Sequence, residues 1–125
     1  MRVPNLLLAT DADWLFDDVA AALGGSHDVH RVREGSHVDD AIGKVEPELV
    51  ILDLQIGNMG GVATSLLIKQ EMRAGRLPDT PVLLLLDRDA DTFLAEQSDA
   101  DSWLVKPLNS LALRRAASSL IPASS

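Results

Sequence analysis

LVILDLQIGNMGG, residues Leu49–Gly61, joins four consecutive apolar residues to an aspartate at position 53 and a loop that ends in two glycines. A fully apolar run of this length is typical of a buried parallel strand. Ligands of open α/β sheets bind at the carboxyl ends of the strands, so Asp53 would lie at the edge of the sheet where ligands bind and solvent has access. An aspartate that only ends the strand and caps the next turn would give the same local sequence. The choice between the two depends on what the other strands bring to this edge.

Short apolar runs recur along the chain, and a helical pattern follows each of them. Further strands are predicted over residues 6–9, 28–33, 82–86 and 102–105. Residues 28–33 alternate apolar and polar side chains, which is typical of an edge strand. Helices are predicted over residues 14–23, 36–45, 62–74 and 92–98, and from Asn109 or Ser110 to Pro122. Five βα units in this sequence predict a doubly wound, flavodoxin-like parallel sheet with strand order 2-1-3-4-5 and helices on both faces.

Capping residues and apolar stripes predict how the helices begin and which face they bury. Asp13 and Ser36 are the expected N-caps of the first two helices, and Asn109 or Ser110 is that of the last. In the third helix, one apolar side is expected to face the core, and it consists of Val62, Leu66, Leu67 and Met72.

Length and composition limit the class of protein. The 125 residues are enough for one domain with a proper core, and we expect a single domain over residues 1–125. A net charge of −8 argues against direct binding of nucleic acid or an anionic membrane surface. Cysteine is absent, which excludes disulfides and thiolate metal sites. No apolar stretch approaches the length of a membrane span or forms a signal peptide, so we expect a cytoplasmic protein.

Three strands deliver polar side chains to one edge of the predicted sheet. Asp11 follows the first strand, Asp53 ends the third and Lys106 follows the fifth. The first and third strands are neighbours in the predicted order, so the two carboxylates should face each other and repel unless a cation lies between them. A Mg²⁺ ion with water and one backbone carbonyl would remove this repulsion. With Lys106 beside a bound anion, these groups describe a phosphoryl-transfer site whose nucleophile is a carboxylate.

Two segments carry a resemblance to a known family. Residues 49–55 with Met59-Gly60-Gly61, and residues 101–108 with the sequence DSWLVKPL, resemble the motifs of response-regulator receiver domains of bacterial two-component signalling. The resemblance extends over nearly the whole chain and implies that Asp53 accepts a phosphoryl group from a histidine kinase. It also implies that Asp11, Asp53 and the backbone carbonyl of Gln55 hold the metal ion. Lys106 would pair with the phosphate, and the Lys106-Pro107 bond is cis in the family.

Several positions depart from the family pattern. Thr10 stands where the family usually has the first of two adjacent acids, so we expect weaker Mg²⁺ binding. Leu86 replaces a Thr or Ser whose hydroxyl moves to bind the phosphoryl group. Asp87 replaces a small residue, and its carboxylate would repel a phosphoryl dianion unless it turned away or joined the metal. Gly57 replaces a common proline. Trp103 replaces a Tyr or Phe that changes rotamer with the missing hydroxyl, and it is either a switch residue or a static side chain.

Other polar and aromatic residues are expected around the pocket or on the surface. Gln55 and Arg88 would flank the pocket and influence how fast water removes the phosphoryl group, and Trp14 would form part of its wall. Three histidines lie close together in the sequence, but their spacing suits no common metal site, and we expect them on the surface. They are His27, His30 and His37.

Two functions remain. The first is a stand-alone receiver phosphorylated on Asp53, because the chain ends at Ser125 without room for a DNA-binding module. Its enzymatic activity would at most be autocatalytic, Mg²⁺-dependent phosphorylation and dephosphorylation. The second is an atypical receiver that docks to a partner independently of phosphorylation, and Thr10, Leu86 and Asp87 favour it. A flavodoxin-like enzyme is disfavoured because residues 10–13 are too acidic to cradle a phosphate, and a hydrolase because no Ser or Cys nucleophile is paired with a placed His.

Expected partners follow from the family resemblance. A sensor histidine kinase or phosphotransfer protein would dock near the pocket and the first helix. A downstream protein effector, or a second copy in a homodimer, would use the face formed by the fourth helix, fifth strand and fifth helix, which includes Trp103, Arg114 and Arg115.

Overall fold

The computed structural model describes residues 3–57 and 59–121, in which strands and helices alternate. The strands are β1 Asn5–Ala9, β2 Asp28–Val32, β3 Leu49–Asp53, β4 Val82–Leu86 and β5 Ser102–Val105. The helices are α1 Asp13–Leu23, α2 Val38–Val45, α3 Gly61–Arg73, α4 Thr92–Gln97 and α5 Ser110–Leu120, with 3₁₀ turns at Gly35–His37 and Asp89–Asp91. Pro122, where the last helix was expected to end, and the chain end at Ser125 lie outside the described residues. None of the helices in the described ranges is long and apolar enough to cross a membrane.

The five strands form one parallel sheet in the order β2-β1-β3-β4-β5. This confirms the predicted doubly wound, flavodoxin-like architecture. Every residue of β3 and β4 is buried, as expected of strands covered by helices on both faces. Because β3 lies between β1 and β4, its carboxyl end has the ends of both neighbours beside it.

The sheet separates two apolar clusters. Leu52 and Leu84 face the cluster covered by α2 and α3, whereas Ile51 and Leu83 face the cluster covered by α1 and α5. Successive side chains of a strand point to opposite faces, so neighbouring residues of β3 belong to different cores. Complete burial of a Leu or Ile side chain contributes roughly 1.5–3 kcal/mol, and both clusters therefore hold β3 in place.

The buried face of α3 differs from the prediction. Leu66 is exposed, Val62 and Leu67 are only half-buried, and Met72 is the one member of the predicted stripe that is buried. The buried residues are instead Gly61, Thr64, Ser65, Ile68 and Met72, which recur at helical spacing. The prediction is wrong because it counted apolar residues only. The buried Thr64 hydroxyl donates to the backbone carbonyl of Gly60, so this polar residue fits the interior.

Two of the predicted helix caps are also wrong. Asp13 is the first helical residue of α1, with Ala12 at the N-cap position, because its carboxylate is drawn to Arg31 on β2, 2.8 Å away. Ser36 lies within the 3₁₀ turn that precedes α2, so the helix begins two residues later than expected. Asn109 is confirmed as the N-cap of α5, where its side chain accepts a hydrogen bond from the amide of Ala112.

Candidate functional site

Asp53 ends the central strand β3, and only 2% of its surface is exposed. Its Oδ2 accepts a hydrogen bond of 2.7 Å from the hydroxyl of Thr10, which follows β1. Its Oδ1 accepts a backbone N–H from Gln55 at 3.2 Å and contacts the ammonium of Lys106, which follows β5, at 2.5 Å. A buried carboxylate needs such partners to remain charged. The structure thus brings residues after three different strands onto a single carboxylate.

Lys106 is shared between two carboxylates. Its Nζ also donates to Oδ1 of Asp87, which follows β4, at 2.8 Å, and only 10% of the lysine side chain is exposed. The other oxygen of Asp87 accepts a 2.9 Å hydrogen bond from Nε2 of Gln55. The carboxylate of Asp87 therefore lies in the pocket, and the expectation that it would turn away from a phosphoryl group or join the metal stays a prediction. Its carboxylate points inward because the ammonium of Lys106 and the amide of Gln55 hold it there.

The charges of Asp87 and Lys106 stabilise each other. Burial is the largest single influence on the pKa of Asp87 and by itself raises it. Hydrogen bonds from Lys106 and Gln55, with the positive charges of Lys106 and Arg88, outweigh burial, so the pKa lies below its ordinary value of 3.8. Burial likewise lowers the pKa of Lys106, but contacts with Asp53 and Asp87 raise it above 10.5. Asp87 and Lys106 are therefore both charged at neutral pH.

Thr10 connects the β1–α1 loop to Asp53. Its side chain is completely buried, and its hydroxyl accepts the backbone N–H of Ala12 at 3.1 Å while donating to Asp53. A hydroxyl can do both at once, because it has one donor and two acceptor sites. At this position the neighbour of Asp53 is therefore a hydrogen-bond donor rather than a second negative charge.

Arg31 supports this loop from β2 and was missed in the sequence. Its Nε donates to the backbone carbonyl of Thr10 at 3.0 Å, and its guanidinium lies 5.3 Å from the ring centroid of Phe16. Asp13 accepts from Arg31 and from Arg33, and these two contacts hold the pKa of its carboxyl below the ordinary value. The alternating pattern of β2 placed Arg31 on an edge strand, but it gave no sign of a contact with Thr10.

Asp11 lies on the exposed side of the same loop. Its Oδ2 would be 2.9 Å from a Cβ placed on Gly57, in the loop after β3. A glycine at position 57 therefore leaves the space that the Asp11 carboxylate occupies. In residues 3–57 and 59–121, no cluster of three or more His, Cys, Asp or Glu side chains is arranged to hold a metal ion.

The two expected switch positions have contrasting surroundings. Leu86 is completely buried and belongs to the core on the α2–α3 side of the sheet. Trp103 lies on β5 and is partly exposed. Leu86 is thus an ordinary core residue, and its apolar side chain has no group that could bind a phosphoryl oxygen.

The remaining predicted residues lie around the rim or on the surface. Trp14 is 53% exposed, and Nζ of Lys106 lies 5.9 Å from its ring centroid, so it borders the pocket. The Lys106-Pro107 peptide bond is cis. Arg88 is exposed and pairs with Asp91 rather than entering the pocket. Three histidines hydrogen-bond or pair with nearby residues at separate places, and these are His27, His30 and His37.

Comparison with known proteins gives sequence relatives. The chain matches no family model. It is 32% identical over 108 residues to the sensory transduction protein BceR of Bacillus subtilis, a match that covers 84% of this chain and 44% of BceR. It is 28% identical over 107 residues to the response regulator protein VraR of Staphylococcus epidermidis, which covers 82% of this chain and 49% of VraR. The chain spans about half the length of the curated relatives it matches.

Solved structures give the same fold at lower identity. The chemotaxis protein CheY4 of Vibrio cholerae superposes with a TM-score of 0.80 and 20% identity, over 95% of this chain and 99% of CheY4. NtrX of Brucella abortus superposes with a TM-score of 0.81 and 21% identity, over 96% of this chain and 27% of the NtrX chain. Identities this low establish the architecture alone.

Proposed function

Because the chain is a response-regulator receiver domain, we propose that it accepts a phosphoryl group on Asp53 from a histidine kinase or a phosphotransfer protein. The observation that carries this proposal is the environment of Asp53. Its carboxylate ends the central strand, and the ammonium of Lys106 lies against one of its oxygens. A carboxylate nucleophile with a fixed positive charge beside it is suited to receiving a phosphoryl group.

In the proposed transfer, one oxygen of Asp53 attacks the phosphorus of a phosphohistidine. The P–N bond breaks, its electron pair stays on the imidazole nitrogen, and Asp53 becomes an acyl phosphate. Lys106 offsets the charge on the phosphoryl oxygens, and the backbone N–H of Gln55 orients the carboxylate. Thr10 fixes the other side of Asp53 through its hydroxyl.

Mg²⁺ is the proposed cofactor, held by Asp11, Asp53 and the backbone carbonyl of Gln55. These are oxygen donors, and Mg²⁺ is commonly bound by one or two carboxylates together with phosphate oxygens and waters. The exposure of Asp11 leaves room for such waters, so the residues present fit the ion. When bound, the ion neutralises charge on the transferred group. We expect weak affinity because Thr10 contributes no charge.

Partners are proposed by the same reasoning. The phosphodonor would dock around the pocket and the start of α1, where Trp14 is exposed. A histidine kinase or phosphotransfer protein as the donor implies a cytoplasmic location. An effector or a second copy would use the α4–β5–α5 face, which exposes three large apolar side chains. They are Phe93, Trp103 and Leu111.

The test is the intact mass of the protein after incubation with MgCl₂ and a small acyl phosphate, beside Asp53→Asn. We expect wild type to gain one phosphoryl group and the variant to gain none. Amide spectra of both proteins control for folding, and an ordinary receiver shows that the donor is active. A folded wild-type protein with no mass gain contradicts the proposal.

That outcome would favour the alternative, a docking module that works without phosphorylation. Two observations support it. Leu86 is a buried core residue, so a switch that depends on a hydroxyl at this position is degenerate. Lys106 is already paired with Asp87, so a resident anion takes part of its charge. The mass experiment separates the two functions.

A further inference from the structure

The pocket holds two carboxylates against one ammonium. Among the described residues, Lys106 is the only cation in hydrogen-bond contact with Asp53 or Asp87. Both contacts are short, and the second oxygen of Asp87 is occupied by Gln55. Hydrogen bonds from Lys106 and Gln55 therefore hold the Asp87 carboxylate in the pocket.

Phosphorylation would upset this balance of charge. Asp53 carries one negative charge as a carboxylate and about two as an acyl phosphate near neutral pH. The added phosphoryl oxygens need Lys106, which lies 2.8 Å from Asp87. Like charges brought this close repel strongly in a partly buried site, where the effective dielectric constant is well below that of water. Lys106 contacts both carboxylates in this structure, and a phosphoryl dianion attracts its ammonium more strongly than the single charge of Asp87 does.

We propose that Asp87 is the residue that moves when Asp53 is phosphorylated, leaving Lys106 and Gln55 because the phosphoryl group displaces it. This role, which rests on the proposed function, replaces the hydroxyl that Leu86 lacks. The direction of movement is opposite to that of a hydroxyl switch, because a resident anion is driven out of the pocket instead of a donor being drawn in.

The segment after Asp87 connects its displacement to helix α4. Leu86 is fixed in the sheet, where its carbonyl accepts the amide of Lys106 at 2.8 Å, so movement begins after it. Two hydrogen bonds between Arg88 and Asp91 hold the next turn together. The buried carboxylate of Asp91 accepts one from the backbone N–H of Arg88 at 3.1 Å and one from the Arg88 guanidinium at 3.2 Å. The turn continues directly into α4, which carries the exposed Phe93. Displacement of Asp87 therefore shifts the turn and the start of α4 together.

Asp87→Asn tests this role, with Asp89→Asn as the matched control. The first variant keeps the shape of Asp87 and removes its charge, and the second removes an exposed charge two residues further along. Each protein is treated with MgCl₂ and increasing acyl phosphate, and the phosphorylated fraction is read by intact mass. Amide NMR follows the side chain of Gln55 and the backbone of residues 88–93. Spectra without donor show whether each variant is folded.

We expect phosphorylation of the wild type to shift the Gln55 side-chain amide and the backbone amides of residues 88–93. In Asp87→Asn, these backbone shifts should fall to less than half. Asp87→Asn should be half-phosphorylated at about one tenth of the donor concentration that wild type needs. A tenfold change corresponds to a free-energy difference of about 1.4 kcal/mol. Asp89→Asn should match the wild type in both measurements.

The outcomes separate this role from the proposed function. If wild type and Asp87→Asn are phosphorylated equally and show equal backbone shifts, the role of Asp87 is wrong and phosphoryl acceptance stands. If only Asp87→Asn gains a phosphoryl group, Asp87 blocks phosphorylation of the wild type instead of moving in response to it, which overturns both this role and the proposed function. If none of the folded proteins gains one, the proposed function is rejected and the role of Asp87 with it.

Discussion

Thr10 shows how a single hydroxyl changes the electrostatics of this pocket. Its donation to Asp53 gives the buried carboxylate a partner where a second acid would repel it. The metal-free pocket is therefore satisfied on this side, and a cation is less strongly attracted. Thr10 thus stabilises the metal-free protein and lowers the affinity of the pocket for a metal ion. Substitution of Thr10 tests both effects.

In Thr10→Asp, we expect the thermal unfolding temperature to fall in EDTA and to recover largely in MgCl₂. The added carboxylate repels Asp53 until a divalent cation binds, and a destabilisation of about 2 kcal/mol would lower the Tm of a domain this size by roughly 6–10 °C. Thr10→Asn is the control, since its uncharged side chain should gain little from MgCl₂. Equal unfolding temperatures of Thr10→Asp in EDTA and in MgCl₂ would contradict this account.

Asp87 predicts a pH dependence of stability. Its pKa in the folded protein lies below the ordinary value of 3.8, so its contribution is fully present above that value. The contribution is lost as the pH falls through the lower folded-state pKa. Wild type should exceed Asp87→Asn by roughly 0.5–1 kcal/mol near neutral pH, and the difference should shrink below about pH 4. Urea unfolding of both proteins over this range measures it, and a constant difference would show that the charge of Asp87 is not responsible.

At the scale of elements, the junction between β3 and α3 sets the position of Asp53. The start of α3 passes so close to β3 that a Cβ on Gly61 would lie 2.6 Å from the backbone oxygen of Asp53. Only glycine permits this approach, because the obstructing atom belongs to the backbone of a buried strand. By contrast, a Cβ on Gly43, within α2, would meet nothing within 4 Å.

We therefore expect opposite effects from the same substitution in the two helices. Gly61→Ala should destabilise the protein by about 1–3 kcal/mol, since β3 or α3 must shift to relieve the contact. Gly43→Ala should stabilise it by about 0.5–1 kcal/mol, because alanine favours a helix interior. Urea unfolding of the two variants gives both values. A Gly61→Ala protein as stable as the wild type would mean that the junction yields without cost.

At the scale of the whole molecule, the sheet brings together groups that are far apart in the chain. Thr10 and Asp53 are 43 residues apart, and Asp53 and Lys106 are 53 apart. This edge was predictable because strands that alternate with helices form a parallel sheet, so the polar residues that follow the strands emerge at the same edge. The positions of these strand ends can be predicted without knowing any side-chain contact.

Other features depended on contacts that no periodic pattern contains. The face of α3 was misplaced because polar Thr64 is buried, and the start of α1 because Asp13 pairs with an arginine on β2. The hydrogen bond of Gln55 with Asp87 joins loops after two different strands. In the sequence, each of the two is a polar loop residue like many on a protein surface, so neither indicates the contact. Side-chain hydrogen bonds between loops require coordinates.

The indole of Trp14 beside Lys106 has an optical consequence. The emission of an indole depends on the electric field across its ring, and the ammonium lies 5.9 Å from the ring centroid. Any event that draws Lys106 towards or away from an anion changes that field. The protein therefore carries a fluorophore at the rim of its own pocket, and ultraviolet light can follow the charge of the pocket without an added label.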